Sequence, residues 1–264
     1  MWVFSAENRE MQHDVIVIGT GKLASNLIGR LAVEPAVQLF LNGRNKPLVK
    51  QLCESHTNVI PIELDDIPFN SLCILCVSDT AIASLAQELT SKNCFLIHCA
   101  GAVSIDVLIP HSNGAAVVWP LQSFSDHFIH WEEIPLIVEL HNASSGEDIS
   151  WLLNCLGGPV HHLNSERRKH LHLAAVMVNN FSNYLFAVAQ EYCVHEGLPF
   201  ETLKPLLQET IARIGDTSMH EYQTGPAIRG DYETISGHLK LIENNADAKS
   251  LYEFMTQAIA SRKK

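Results

Sequence analysis

The chain has 264 residues, 47% of them hydrophobic and 18% charged, and a formal net charge of -11. Such a composition can build a packed core in one large or two small domains, and the acidic balance excludes nucleic acid as the main partner, because phosphate binding needs a basic face. No apolar run approaches the roughly 20 residues needed to cross a bilayer, so no membrane is expected.

The opening MWVFSAENREMQHD has neither the cationic start nor the apolar core of a signal peptide. Residues 1–11 read as an extension, with Met11 a second candidate start. Asp14-Val-Ile-Val-Ile-Gly19 then forms a continuous apolar run rich in β-branched residues, the signature of a strand buried on both faces. Leu23, Leu27, Ile28 and Leu31 follow at helical spacing. Val37 to Leu41 reads as a second strand, and Pro47 to Glu54 as a helix. Asn58 to Ile62, Leu72 to Val77 and Cys94 to His98 read as further strands. Between the last two, Asp79 is placed to cap a helix running to Leu89. Ala115 to Val118 and Leu136 to Glu139 are strand candidates, and Ser144 or Ser145 can cap a helix ending near Gly157-Gly158. Strands spaced by helices predict an α/β Rossmann domain with a doubly wound, mostly parallel sheet over residues 12–160.

After a linker near Pro159 to Asn164 the pattern changes, and residues 161–264 predict an all-α domain. Ser165 to Glu196 reads as one long helix, apolar nearly all round and therefore buried or shared between subunits. Gly197-Leu-Pro199 ends it. A helix from about Pro199 to Met219 comes next, then a loop from Glu221 to Gly230. Asp231 caps a helix to Glu243, and Ala246 to Arg262 forms the last.

The seven cysteines sit mostly in apolar runs. Cys73 and Cys76 form a CxxC inside a strand, where residues three apart face opposite ways, which suits neither a chelate nor a redox turn. Buried free thiols imply a reducing, cytoplasmic setting.

Gly19-Thr20-Gly21-Lys22-Leu23-Ala24 is a GxGxxA fingerprint between a buried strand and a helix, the context in which that pattern signals dinucleotide binding. Gly19 permits the tight turn, Gly21 lets backbone approach the pyrophosphate, and Ala24 lets helix and strand pack closely. At the end of the second strand, Asn42-Gly43-Arg44-Asn45-Lys46 stands where an NAD site carries an acid for the ribose hydroxyl. Arg44 is suited to grip a 2′-phosphate, with Asn45 second and Lys46 in reserve, so the cofactor is expected to be NADP rather than NAD. The later strand ends, Val77-Ser78-Asp79 and Ala100-Gly101, are expected to line the cofactor crevice.

Together these features make the chain resemble the NADP oxidoreductases built from a Rossmann-like domain and a DUF2520 domain, distant relatives of pyrroline-5-carboxylate reductase and of the 6-phosphogluconate and 3-hydroxyacid dehydrogenases. The resemblance covers nearly everything from Gln12 onward. Its carriers are Val17-Ile-Gly19-Thr-Gly21, His98-Cys-Ala-Gly101, Trp119-Pro-Leu-Gln-Ser-Phe124, His170-Leu-His172-Leu-Ala-Ala175, Asn180 and Thr224-Gly-Pro-Ala-Ile-Arg229-Gly-Asp231. Many relatives have His where this chain has Trp119.

The resemblance implies a small-molecule substrate between the sheet edge and the long helix, and hydride transfer to or from a carbonyl, imine or hydroxyl group. His172 is the candidate proton donor and Asn180 the candidate orienting group. On a regular helix Asn179 lies closer than Asn180 to the azimuth of His172. Arg229 is a candidate for holding an acidic substrate, with pairing to Asp231 or Glu233 as the alternative, and Gln122 is a candidate substrate contact. His161, His162, His170 and His172 lack a carboxylate or thiol at ligand spacing, so no metal is expected. The apolar long helix and the resemblance predict a homodimer through the helical domain. A non-catalytic NADP-binding sensor is the rival reading.

Overall fold

The computed structural model describes residues 13–35, 37–125, 129–141, 146–215 and 218–262. The extension 1–11 and the candidate caps Ser144 and Ser145 lie outside them. The chain forms two compact units that divide after Ala174.

In the first unit, β1 (His13–Ile18), β2 (Val37–Asn42), β3 (Val59–Pro61), β4 (Leu72–Leu75), β5 (Phe95–His98), β6 (Gly114–Pro120), β7 (Leu136–His141) and β8 (Val160–His162) make one sheet. Their order is β3-β2-β1-β4-β5-β6-β7-β8. Every neighbouring pair is parallel except β6 and β7. The first six positions repeat the strand order of dinucleotide-binding folds, with the switch point between β1 and β4. Helices α1 (Lys22–Leu31), α2 (Lys46–Ser55), α3 (Asp79–Glu88), α4 (Gly146–Leu156) and α5 (Ser165–Ala175) complete it.

Burial explains the apolar runs. Val15 to Ile18 are at most 3% exposed, as a central parallel strand requires. Alternate residues such as Val15, Val17, Leu39, Leu41 and Ile74 join one core with Ala24, Leu27, Ile28 and Leu31 of α1 and Ile149 and Leu152 of α4. Cys76 belongs to this core and Cys73 does not, as strand alternation demands. All seven cysteines are free thiols.

Two local expectations need correction. Ser78, not Asp79, occupies the N-cap position of α3, and Asp79 is its first helical residue. The stretch read as a linker contains β8, whose three residues are all exposed. Short and polar, it carries no alternation to betray it.

The second unit is helical. A π-helical stretch, Val176–Phe181, precedes α6 (Ser182–His195). A 3-10 turn at Phe200–Leu203 leads into α7 (Lys204–Ala212). Gly215, at φ +103°, suits a break in place of the continuous helix expected to Met219. The segment read as a loop contains α8 (Pro226–Arg229), opened by Pro226 and closed by left-handed Gly230. Asp231 caps α9 (Tyr232–Leu241) and Asn245 caps α10 (Ala246–Ala260). Burial is sparse: Cys193 in α6, Ala227 in α8 and Ala248 in α10, with none in α7 or α9.

Candidate functional site

At the carboxyl ends of β1 and β4 lies a cavity of about 600 Å³, lined by Gly19 to Leu23, Asn42 to Asn45, Leu64, Cys76 to Ser78, Ala81, Ser84, Leu85 and Glu88. The fingerprint builds its floor. Gly19 adopts φ +135°, and a Cβ there would overlap the Cys76 carbonyl oxygen, so this turn admits only glycine. Its N–H donates to the Asn42 carbonyl at 2.9 Å, tying the end of β1 to β2. Gly21 caps α1 in an extended conformation, and a Cβ there would meet no protein atom within 4 Å. Open space over Gly21, and a first turn of α1 with no acid, set the positive end of the helix at the cavity wall, an arrangement suited to a pyrophosphate. Ala24, on the buried face of α1, is fully buried and serves the packing of helix on strand rather than the cavity itself.

The cavity is also lined by Arg44, whose guanidinium has no hydrogen-bond or ion-pair partner among the described residues. Its neighbours are committed. The Asn45 side chain accepts the Leu48 N–H at 3.2 Å and caps α2. Lys46 is paired with Glu63, Nζ lying 2.6 and 2.7 Å from the two carboxylate oxygens. Gly43 is buried because Thr20 packs on it; a Cβ would come within 2.6 Å of the Thr20 methyl. Of the residues anticipated for the crevice, Asp79, Ala100 and Gly101 do not line this cavity. Asn42, Leu64, Ala81, Ser84, Leu85 and Glu88 do, and were missed. The α3 members, spaced i, i+3, i+4 and i+7, form one helical face that periodicity alone could have offered.

The Cys76 thiol is held protonated, first by its hydrogen bond with Cys99 and then by burial, which both push its pKa up. It therefore brings no thiolate to the cavity.

Ala100 and Gly101 belong to a second cluster in the same unit. A Cβ on Gly101 would lie 2.6 Å from the His172 ring and 2.8 Å from that of Trp119. Trp119 and His172 are in tilted ring contact at 5.6 Å. Beneath them, His98 is fully buried. Its Nδ1 accepts the Ala100 N–H at 3.2 Å, which places the proton on Nε2. Burial, and then the charge of Arg168, lower its pKa to about 4, so this ring is neutral at physiological pH; His172, by contrast, is half-buried. Arg168 is also fully buried; it pairs with Glu139 and donates to the Val103 carbonyl.

Gln122 lies outside both clusters, and its side-chain oxygen accepts the Ser123 N–H at 2.8 Å. In the second unit, Asn179 and Asn180 fall within the π-helical stretch. The regular-helix arithmetic that favoured Asn179 therefore does not apply, because i to i+5 bonding widens the turn and changes the rotation per residue. Arg229 ends α8. The Asp231 carboxyl accepts from the Thr234 N–H and hydroxyl, and these bonds, with a smaller contribution from the Arg229 charge, lower its pKa. No group of three candidate metal ligands occurs among the described residues.

A family model described as a domain of unknown function, DUF2520, matches residues 134–259. Among solved structures, "putative NADP oxidoreductase BF3122" from Bacteroides fragilis is similar at 30% identity and TM-score 0.83, covering 95% of this chain and 99% of that one. Protein TM1727 from Thermotoga maritima is similar at 21% identity and TM-score 0.65, over 94% and 97% of the two chains. The Plasmodium falciparum pyrroline carboxylate reductase, solved with NADP bound, shares the fold at 14% identity and TM-score 0.59, over 94% and 100%. No curated protein matches.

Proposed function

The chain belongs to the Rossmann-type NADP oxidoreductases that carry a DUF2520 domain, and from that premise we propose that it transfers hydride between NADP(H) and a small carbonyl, imine or hydroxyl compound. The observation that carries the reading is the cavity itself, lined by the fingerprint glycines and by an uncommitted Arg44, with no acid at the end of β2. Gly21 and the first turn of α1 would hold the pyrophosphate. Arg44 would hold the 2′-phosphate, with Asn45 limited to its amide donors by the capping bond. The cofactor, when bound, supplies the hydride; the protein supplies binding, orientation and a proton.

His172 is the proton donor in this reading, since an imidazole nitrogen can carry and release a proton and this ring is only half-buried. Asn180 orients the reacting group, a role supported by its place in a π-helical stretch, a feature frequent at functional sites. Arg229 and Gln122 are secondary substrate contacts. We further propose a homodimer through the helical unit, supported by its exposed Phe181, Tyr184, Ile211, Ile214 and Phe254.

The test is a calorimetric titration with NADPH and NADH, repeated on Arg44→Ala. A charge-assisted bond contributes roughly 1.5–3 kcal/mol, so NADPH is expected to bind at least about tenfold tighter, and the substitution is expected to abolish that gap. If neither nucleotide binds, the fingerprint is a packing motif and the oxidoreductase reading fails with it.

A further inference from the structure

Arg168 and His172 stand four residues apart on α5, one helical turn, and so on the same face. Arg168 is fully buried and gives one guanidinium nitrogen to Glu139 of β7 and another to the Val103 carbonyl and the Ser165 hydroxyl. Glu139 in turn accepts the Ser165 N–H at 2.9 Å and its hydroxyl at 2.7 Å. The same hydroxyl accepts the Ile105 N–H at 3.1 Å. Three segments therefore meet on one buried pair: the start of α5, strand β7, and the loop that leaves β5 and carries Gly101. His172 rests on that loop, its ring filling the place of the missing Gly101 side chain beside Trp119.

Burying an ion pair is a poor way to gain stability, because the desolvation cost offsets the attraction. What such a pair fixes well is geometry: a guanidinium with two separate partners tolerates neither rotation nor sliding of its helix. We propose that Arg168, held by Glu139, is a positioning residue that seats the His172 imidazole on Gly101 and Trp119. The inference rests on the reading of His172 as the proton donor, and its test separates the two.

Ring protons of His172 in tilted contact with the Trp119 indole carry a ring-current NMR shift that reports seating without any turnover. In Glu139→Gln/Arg168→Met both charges go, while an acceptor for Ser165 remains. That variant should keep its thermal midpoint and its NADPH affinity, since the cofactor cavity lies elsewhere in the unit. It should lose the His172 shift, and its kcat should fall by roughly 10- to 100-fold with KM changed far less. Arg168→Lys, able to reach one partner at a time, should lie between. Should the double variant fail to fold, Arg168→Lys and Glu139→Gln alone are read in the same way. An unchanged His172 shift in the folded variants overturns the proposal. A lost shift with undiminished kcat supports the seating role and refutes His172 as proton donor.

Discussion

His98 shows how one buried side chain couples the sheet to pH. Its imidazole is neutral in the fold because burial, and then Arg168, lower its pKa from 6.5 to about 4. A depressed pKa on a base means that the unfolded chain takes up the proton first as pH falls. Stability from this group is therefore complete above pH 6.5 and is lost progressively down to about 4, at about 1.4 kcal/mol for each pH unit crossed, about 3 kcal/mol in all. Urea unfolding across that window should show the decline. His98→Asn, whose side-chain oxygen can still accept from Ala100 but does not titrate, should flatten it; an equally steep decline in that variant would assign the effect elsewhere. His98 was visible in the sequence as the end of a strand and as part of a family motif, but not as a buried titrating group. The charges that act on it, Arg168 and Glu139, arrive from distant parts of the chain, and no local pattern announces them.

Between residues and folds stand the caps and turns, where one side chain can serve two masters. Asn45 caps α2 and also lines the cavity next to Arg44. Asn45→Ala should cost about 1 kcal/mol of stability through the lost cap. Asn45→Asp keeps a good cap but sets a negative charge beside the 2′-phosphate, so it should preserve the thermal midpoint while weakening NADPH binding relative to NADH. Equal nucleotide preference in wild type and Asn45→Asp would remove Asn45 from the cofactor site. The strands and helices of the first unit were legible because apolar runs and helical spacing are local signals, and β1 and α1 fall where Val15 to Leu31 predicted. Elements governed by distant partners were not. β8 pairs with β7 through Val160 to His162, residues with no strand signature of their own. The π-helical stretch at Val176–Phe181 has the same apolar texture as the α-helix around it, so helical-wheel arithmetic ran straight through a place where the rotation changes.

On the scale of the whole chain, the Rossmann order of the sheet follows from the alternation of strands and helices, and the candidate cofactor cavity follows from that order, because the fingerprint sits at the switch point. The helical unit is different: its all-helical character was foreseen, but the end of α7 at Ala212, the short α8 within the expected loop and the sparse burial were not. Apolar surface of this extent on one unit calls for a partner. Sedimentation should give a dimer whose thermal midpoint rises with protein concentration, as mass action requires of a fold completed by association; a monomer with a concentration-independent midpoint would refute it. The sheet, by contrast, is closed to company. Its two edge strands, β3 and β8, are three residues each, one ending in Pro61 and the other in the polar pair His161-His162. Edges so short and so interrupted offer no template for a foreign strand. A chain with this much β-structure is thereby guarded against growing into fibrils along its sheet.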